Sequence, residues 1–261
     1  MSSSTQIRRA GRIVTPSFDP SKQPIVPSPV LQRLDPASLQ LDFISSAFLR
    51  PIQWQVEPLF ASSFLVDNCH YDNVVHAAVF MPLVQRPTGL HVLFTQRALH
   101  LYDHAGQVCF PGGRIEDNDA DEVAAAVRET HEEIGVDPEF IHPLGTQPGL
   151  LTTTGFTMTP VIGELRPGFT VTPDKSEVAE VFEVPLAVLM DTAEHHLHKA
   201  HLANGNDRYY FSITWQSHFI WGATAALIRN FYHYLAAAQS SDRGATSVLE
   251  AHPPVGKIPP L

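Results

Sequence analysis

Three glutamates and an arginine crowd into one short stretch, Arg128-Glu129-Thr130-His131-Glu132-Glu133. On a helix over Ala120–Ile134, turning about 100° per residue, Glu129, Glu132 and Glu133 share one face. Glu122 lies on the same face two turns earlier. Val123, Val127, Thr130 and Ile134 fall roughly opposite, on the side that packs against a core. Carboxylates on one stripe repel each other, and no lysine is interspersed at these spacings. Divalent cations remove that repulsion. Hard ions such as Mg²⁺ or Mn²⁺ take oxygen ligands and favour sites shared with substrate phosphates. The competing reading is a solvated acidic helix following a glycine turn.

The flanks carry signals for the ends of that helix. Asp119 is expected as its N-cap, with Asp121 and Glu122 at the positive end of the helix dipole. Gly135 is placed to end it as C′. Ahead of it, Pro111-Gly112-Gly113 is expected as a loop whose backbone can approach a metal or phosphate closely.

The stretch Phe110–Val136 resembles the Nudix box: Gly, five residues, Glu, seven residues, Arg-Glu, an apolar residue, any residue, Glu-Glu, any residue, Gly. Gly113, Arg128, Glu129, Glu132, Glu133 and Gly135 fit, with Thr130 at the apolar position. Counting forward from Gly113 lands on Asp119, and counting back from Arg128 lands on Ala120, so the segment is one residue longer. That longer form resembles the coenzyme A pyrophosphatase branch, whose second motif lies just upstream. Leu93-Phe94-Thr95-Gln96-Arg97-Ala98 opens that motif, Gly106 holds its place and Phe110-Pro111-Gly112-Gly113 closes it. Tyr102 departs from it, standing where the branch has a second arginine.

The resemblance covers roughly Asn73–Ala238 and implies an α/β fold, an α/β/α sandwich around a mixed sheet. It implies a pyrophosphohydrolase using Mg²⁺ or Mn²⁺. The implied metal ligands are Glu129, Glu132, Glu133 and the Gly113 carbonyl, with Arg128 holding a glutamate in place. Another glutamate faces the metals in many family members, and Glu177 is the candidate, with Glu180 behind it. Either Glu129 or Glu177 would take the proton of the attacking water. Arg97 and Gly112 are the candidate substrate contacts. For Arg97 the alternative is a surface salt bridge. The implied substrate is a nucleoside diphosphate derivative, coenzyme A first, giving 4′-phosphopantetheine and adenosine 3′,5′-bisphosphate. ADP-ribose is the rival substrate, favoured by Tyr102. A non-catalytic nucleotide sensor is the rival of another class, and the intact glutamate triad speaks against it.

Composition bounds the partners. The apolar fraction is 44%, ordinary for a globular chain. The net charge of −10 makes nucleic acid an unfavourable partner. An anionic substrate then needs local cations, which metal ions and a few arginines supply. Cys69 and Cys109 form neither a ligand cluster nor a disulfide framework, and a cytoplasmic location is the simple reading. No apolar run is long enough to span a bilayer. Arg8, Arg9 and Arg12 precede no apolar stretch, so a secretory signal is not expected.

Three regions follow. Residues 1–72 are Ser- and Pro-rich at first and read as a partly ordered arm, a flexible tail before Pro24 and beyond it packing on its own domain or on a second subunit as a homodimer. Residues 73–238 form the catalytic domain, and 239–261 a tail. Strands are expected at Val74–Val84 and His91–Gln96, joined in a hairpin at Thr88-Gly89. Further strands are expected at Phe140–Leu144, Met158–Leu165, Tyr209–Ile213 and Gln216–Trp221. Pro160 suggests an edge strand or a strand start. Leu150–Phe156 is expected as a Thr-rich loop, and Gly222–Ala238 as a closing helix. His104 sits in the loop before Phe110, where it either lines the site or is incidental. His195, His196, His198 and His201 cluster in sequence, but without a structural zinc spacing.

Overall fold

The computed structural model describes residues 18–65, 74–152, 154–202 and 205–242. Cys69, the expected domain start at Asn73, the arginines before residue 18 and the tail past 242 lie outside them. In chain order the elements are β1 (Ile25–Val26), α1 (Leu41–Phe48), β2 (Phe64–Leu65), β3 (Val75–Arg86) and β4 (Gly89–Arg97). Next come β5 (Val108–Cys109), β6 (Gly112–Arg114), α2 (Glu122–Ile134), β7 (Ile141–Thr146), β8 (Gly149–Leu151) and β9 (Phe156–Leu165). The chain closes with β10 (Val178–Pro185), α3 (Leu186–Leu189), β11 (His196–His201), β12 (Asp207–Trp215), β13 (His218–Trp221) and α4 (Ala223–Asp242).

β3 organises the larger sheet. Its residues are buried almost without interruption from Ala77 to Val84. Both faces are covered, so the strand reads as one apolar run rather than an alternation. Ala78, Phe80 and Val84 pack towards α2 with Ala125, Ala126 and Ile134. Val79, Met81 and Leu83 pack the other way, into a core shared with α4 and the smaller sheet. β3 pairs antiparallel with β4 across the expected hairpin and parallel with β9, so the sheet is mixed. With α2 on one side and α4 on the other, the order of layers is α/β/α.

β9 is not an edge strand. It lies between β3 and the pair β7 and β8, with Val79 opposite Pro160. Pro160 is tolerated because its far-side neighbour changes there. β7 pairs with Val161–Leu165, and β8 pairs with Thr157 and Met158. The missing N–H thus falls at the junction of two short ladders. β8 itself occupies part of the segment expected as a Thr-rich loop.

The smaller sheet runs β1-β11-β12-β13. β11 is made by the histidine segment, and its residues scatter. His195 is buried, with Nε2–H donating to the Leu189 carbonyl at 2.7 Å. His198 bonds the Gln23 carbonyl through Nδ1 and Ser212 Oγ through Nε2. His201 contacts Asp207. These imidazoles are used by the backbone and by neighbouring strands rather than by one another.

The N-terminal region lies on its own chain. Leu34, Ile44, Ala47, Phe60 and Phe64 are buried in the core shared with α4. The flexible tail expected before Pro24 does not extend to residues 18–23: Phe18 packs on Tyr210 and Trp221, and Tyr210 donates to the Pro20 carbonyl at 2.7 Å. At the centre of this seam Arg229 donates to Glu57, both almost fully buried. The helix α4 that carries Arg229 continues to Asp242, past the expected end at Ala238. Among the described residues no helix is long and apolar enough to cross a membrane.

Candidate active site

α2 forms from an alanine- and valine-rich start, Val123-Ala124-Ala125-Ala126-Val127. Its N-cap is Asp121, not Asp119: the Asp121 carboxylate accepts from the Ala124 N–H at 2.8 Å. Gly135 ends the helix in the left-handed region, φ 67°, with its N–H on the His131 carbonyl. A Cβ there would sit 2.8 Å from the Thr172 carbonyl oxygen, so glycine answers two constraints at once.

Asp119 is freed from capping by this shift, and it holds Arg128. The guanidinium meets it in a fork, Nε to Oδ1 at 3.0 Å and Nη2 to Oδ2 at 2.8 Å. The remaining donors reach the Arg114 carbonyl, Glu129 Oε1 and Glu132 Oε2, each at 3.0 Å. Arg128 is therefore bidentate to the aspartate and makes single bonds to the glutamates. Its hydrogen bonds hold the Asp119 carboxyl down to about 2.

The acidic face does not simply point to solvent. Glu132 is exposed at the rim, Glu129 is half-buried and Glu133 is buried at 5% exposure. The reason is the segment expected as a bare loop, which is strand β6, paired with β3 through Ala78 and Gly113. Gly112 N–H donates to Glu133 Oε2 at 3.2 Å. A Cβ on Gly112, φ 151°, would meet the Ala78 carbonyl oxygen at 2.3 Å. A Cβ on Gly113 would lie 2.5 Å from the Glu129 carboxyl carbon. The two glycines thus let the strand lie directly on the glutamates.

Phe110, just ahead of this strand, is locked by a column of rings. It stacks on Phe94 at 4.9 Å, Phe94 on Phe182 at 5.7 Å, and Phe182 on His218 at 3.6 Å. His218 contacts Glu180 at 3.2 Å, so Glu180 is engaged there rather than standing behind Glu177.

Glu177 arrives by long-range backbone bonds. Thr172 N–H donates to the Ile134 carbonyl at 2.7 Å, and Asp174 N–H to the Glu133 carbonyl at 2.9 Å. The Glu177 carbonyl accepts from Ala98 N–H at 2.7 Å. No sequence signal announces these bonds, because they link residues about forty to eighty positions apart. Glu177 remains exposed, yet its charge is felt by Glu129 and Glu133.

Arg97 ends β4 beside Glu133. It pairs with no carboxylate among the described residues, and its Nε is buried without a hydrogen-bond partner. Among the described residues the surface salt bridge is thus not formed. Cys109 is half-buried next to Thr95, and desolvation pushes its thiol up to about 11, which leaves it a poor nucleophile near neutral pH. His104 bonds Gln107 at 2.8 Å and does not join the carboxylates.

The charges do not balance within the protein. Burial first, with the charges of Glu129 and Glu177 adding to it, pushes Glu133 up to about 8 against the bond from Gly112 and the charge of Arg97. Burial also raises Glu129. The donors on offer are hard oxygens, which suits Mg²⁺ or Mn²⁺ rather than a softer ion. Among the described residues no three carboxylate, imidazole or thiol side chains converge on one point. A magnesium site needs only one or two carboxylates, completed by waters and substrate phosphates, so this donor set fits one.

The NUDIX domain family model matches residues 74–204. The chain belongs to the Nudix family. Its relatives include the protein called uncharacterized Nudix hydrolase NudL in Shigella flexneri serotype 5b, 39% identical over 195 residues, covering 74% of this chain and 93% of that one. The NudL of Cronobacter sakazakii is 42% identical over 158 residues, covering 60% of this chain and 81% of that one. Among solved structures, a C. elegans Ap4A hydrolase is 20% identical, covering 42% of this chain and 80% of that one, with a TM-score of 0.37. This Nudix chain is therefore a hydrolase of the pyrophosphohydrolase kind, with the box on α2 and β6 as its distinguishing element.

Proposed function

We propose that this Nudix hydrolase cleaves the diphosphate linkage of coenzyme A or its derivatives, giving 4′-phosphopantetheine and adenosine 3′,5′-bisphosphate. The observation that carries the reading is the buried, under-neutralised Glu133 set between Glu129, Glu177 and the unpaired Arg97 Nε. Such a centre is costly unless cations and an anionic ligand complete it. The coenzyme A assignment rests on the resemblance of residues 93–113 to that branch.

The candidate ligands are Glu129, Glu132, Glu133 and the Gly113 carbonyl, of which one or two carboxylates would hold a divalent ion, with waters and substrate phosphates completing it. Once bound, it neutralises the diphosphate oxygens and makes water more acidic. The protein's own groups do the rest. Arg97 engages a phosphate oxygen through its free donors. Asp119 holds Arg128, and Arg128 fixes Glu129 and Glu132 through single bonds. A glutamate, Glu129 or Glu177, takes the proton from the attacking water. Gly112 keeps Glu133 in place from behind. A second reading, ADP-ribose as substrate, is favoured by Tyr102, which puts no positive charge where the branch has arginine.

The test is the purified full chain with Mn²⁺ and a panel of coenzyme A, acyl-coenzyme A and ADP-ribose, with Glu132→Gln as control. Release of adenosine 3′,5′-bisphosphate by the parent alone is the expected result. Cleavage of ADP-ribose but not coenzyme A rejects the substrate, and no cleavage of any member favours the sensor.

Gly113→Ala adds one methyl where Glu129 now lies. It is expected to lower kcat by about 10–100-fold, as loss of support around a ligand does, while the circular dichroism spectrum is unchanged. An alanine variant as active as the parent would show that Glu129 need not occupy this position.

A further inference from the structure

Residues 98–107 form a loop between β4 and β5 that starts at Arg97 and is tied to the Glu177 segment. Ala98 N–H donates to the Glu177 carbonyl, and His100 Nε2 contacts the Ser176 carbonyl at 3.0 Å. The loop is held in shape. Gly106 N–H donates to the Arg97 carbonyl, Gln96 Nε2 to the Gly106 carbonyl, and His104, φ 58°, bonds Gln107. From this fixed hairpin the side chains of Leu99 and Tyr102 stand 79% and 78% exposed. An apolar and aromatic display on a loop that starts at Arg97 and is tied to the Glu177 segment calls for a ligand with two unlike parts.

We propose that Tyr102, backed by Leu99, is a specificity-determining platform on which the nucleobase of the substrate stacks while its diphosphate lies at Arg97 and the glutamates. A base offers an aromatic face, and a tyrosine fixed on a bonded hairpin meets it with little ordering cost. A phosphate would gain nothing from this position, which holds no cation. The proposal rests on the functional reading above and deepens it by naming which part of the substrate the loop meets.

The test separates the two. Binding of AMP and of ribose 5-phosphate to the full chain with Mg²⁺ is measured by calorimetry for the parent, Tyr102→Ala and Tyr102→Phe. Tyr102→Ala is expected to weaken AMP about tenfold, the effect of losing one base–aromatic stack. Tyr102→Phe keeps AMP affinity, and ribose 5-phosphate binds all three alike. Equal AMP affinity in Tyr102→Ala overturns the platform, as does equal loss of both ligands or failure of the parent to distinguish them. Failure of the catalytic reading shows separately, as absence of turnover in the parent.

Discussion

Glu133→Gln is expected to give a protein that is nearly inactive and, without metal, more stable than its parent. Glu133 is buried at 5% exposure, and its carboxyl is pushed up to about 8, chiefly by burial. The folded state therefore holds a proton that the unfolded chain gives up in the ordinary carboxylate range. Between that range and about 8 the native state binds more protons, so its stability falls as pH rises. Glutamine removes the charge and keeps an acceptor for the Gly112 N–H. A gain of about 1–3 kcal/mol is expected near neutral pH, or roughly 2–4 °C in Tm per kcal/mol for a chain of this size. Activity should fall at least about 100-fold, since outer partners of metal ligands alone reach that figure. Thermal melts with chelator at about pH 5 and about pH 8, below and above the usual neutral point, check the sign. A variant less stable than the parent at the higher pH would remove the argument that this carboxylate is kept for function.

The second large effect lies far from the box. Arg229 donates to Glu57 through Nε and lies 4.1 Å over the Phe211 ring, with Nη1 3.3 Å from His195 Nδ1. Burial alone would raise Glu57, but the bond from His233 and the charge of Arg229 outweigh it and hold it at about 2. Burial pushes His195 down to about 4, so its imidazole is neutral and accepts from the arginine. The stability Glu57 contributes is present above its unfolded range and is lost as pH falls towards about 2. Arg229→Ala strands a buried carboxylate and is expected to cost about 3–5 kcal/mol, a Tm loss on the order of 10 °C. The pair Glu57→Leu with Arg229→Met should recover most of it, because apolar replacement of a buried pair is commonly neutral. Urea unfolding of the three proteins measures this. A single variant within about 0.5 kcal/mol of the parent, the ordinary surface range, would mean that the seam does not hold the N-terminal region.

These two sites differ in how far they could be foreseen. The Glu129, Glu132 and Glu133 spacing is visible in any helical projection, and so is Gly135 as the stop. Arg229 sits in an apolar helix with no partner nearby in sequence, and Glu57 lies in a stretch without periodicity. Nothing local links them. The histidines of β11 show the converse, residues near in sequence whose side chains do not meet, as their lack of a zinc spacing led one to expect. They are close in sequence, yet a strand sends successive side chains to opposite faces, and each finds its own partner.

Residue spacing by itself determined which carboxylates share a side of α2 and where that helix stops. These follow from the fixed rise and turn of the helix, which act within a few residues. Only the tertiary structure decided that Asp121 caps the helix while Asp119 grips Arg128, that Glu133 is shut under Gly112, and that the charge of Glu177 reaches Glu129 and Glu133. Those outcomes depend on β6 pairing with β3 and on residues 172–177 closing over the end of α2. Contacts between segments so far apart form only when the whole sheet is assembled, since their loop-closure entropy is offset by the complete core.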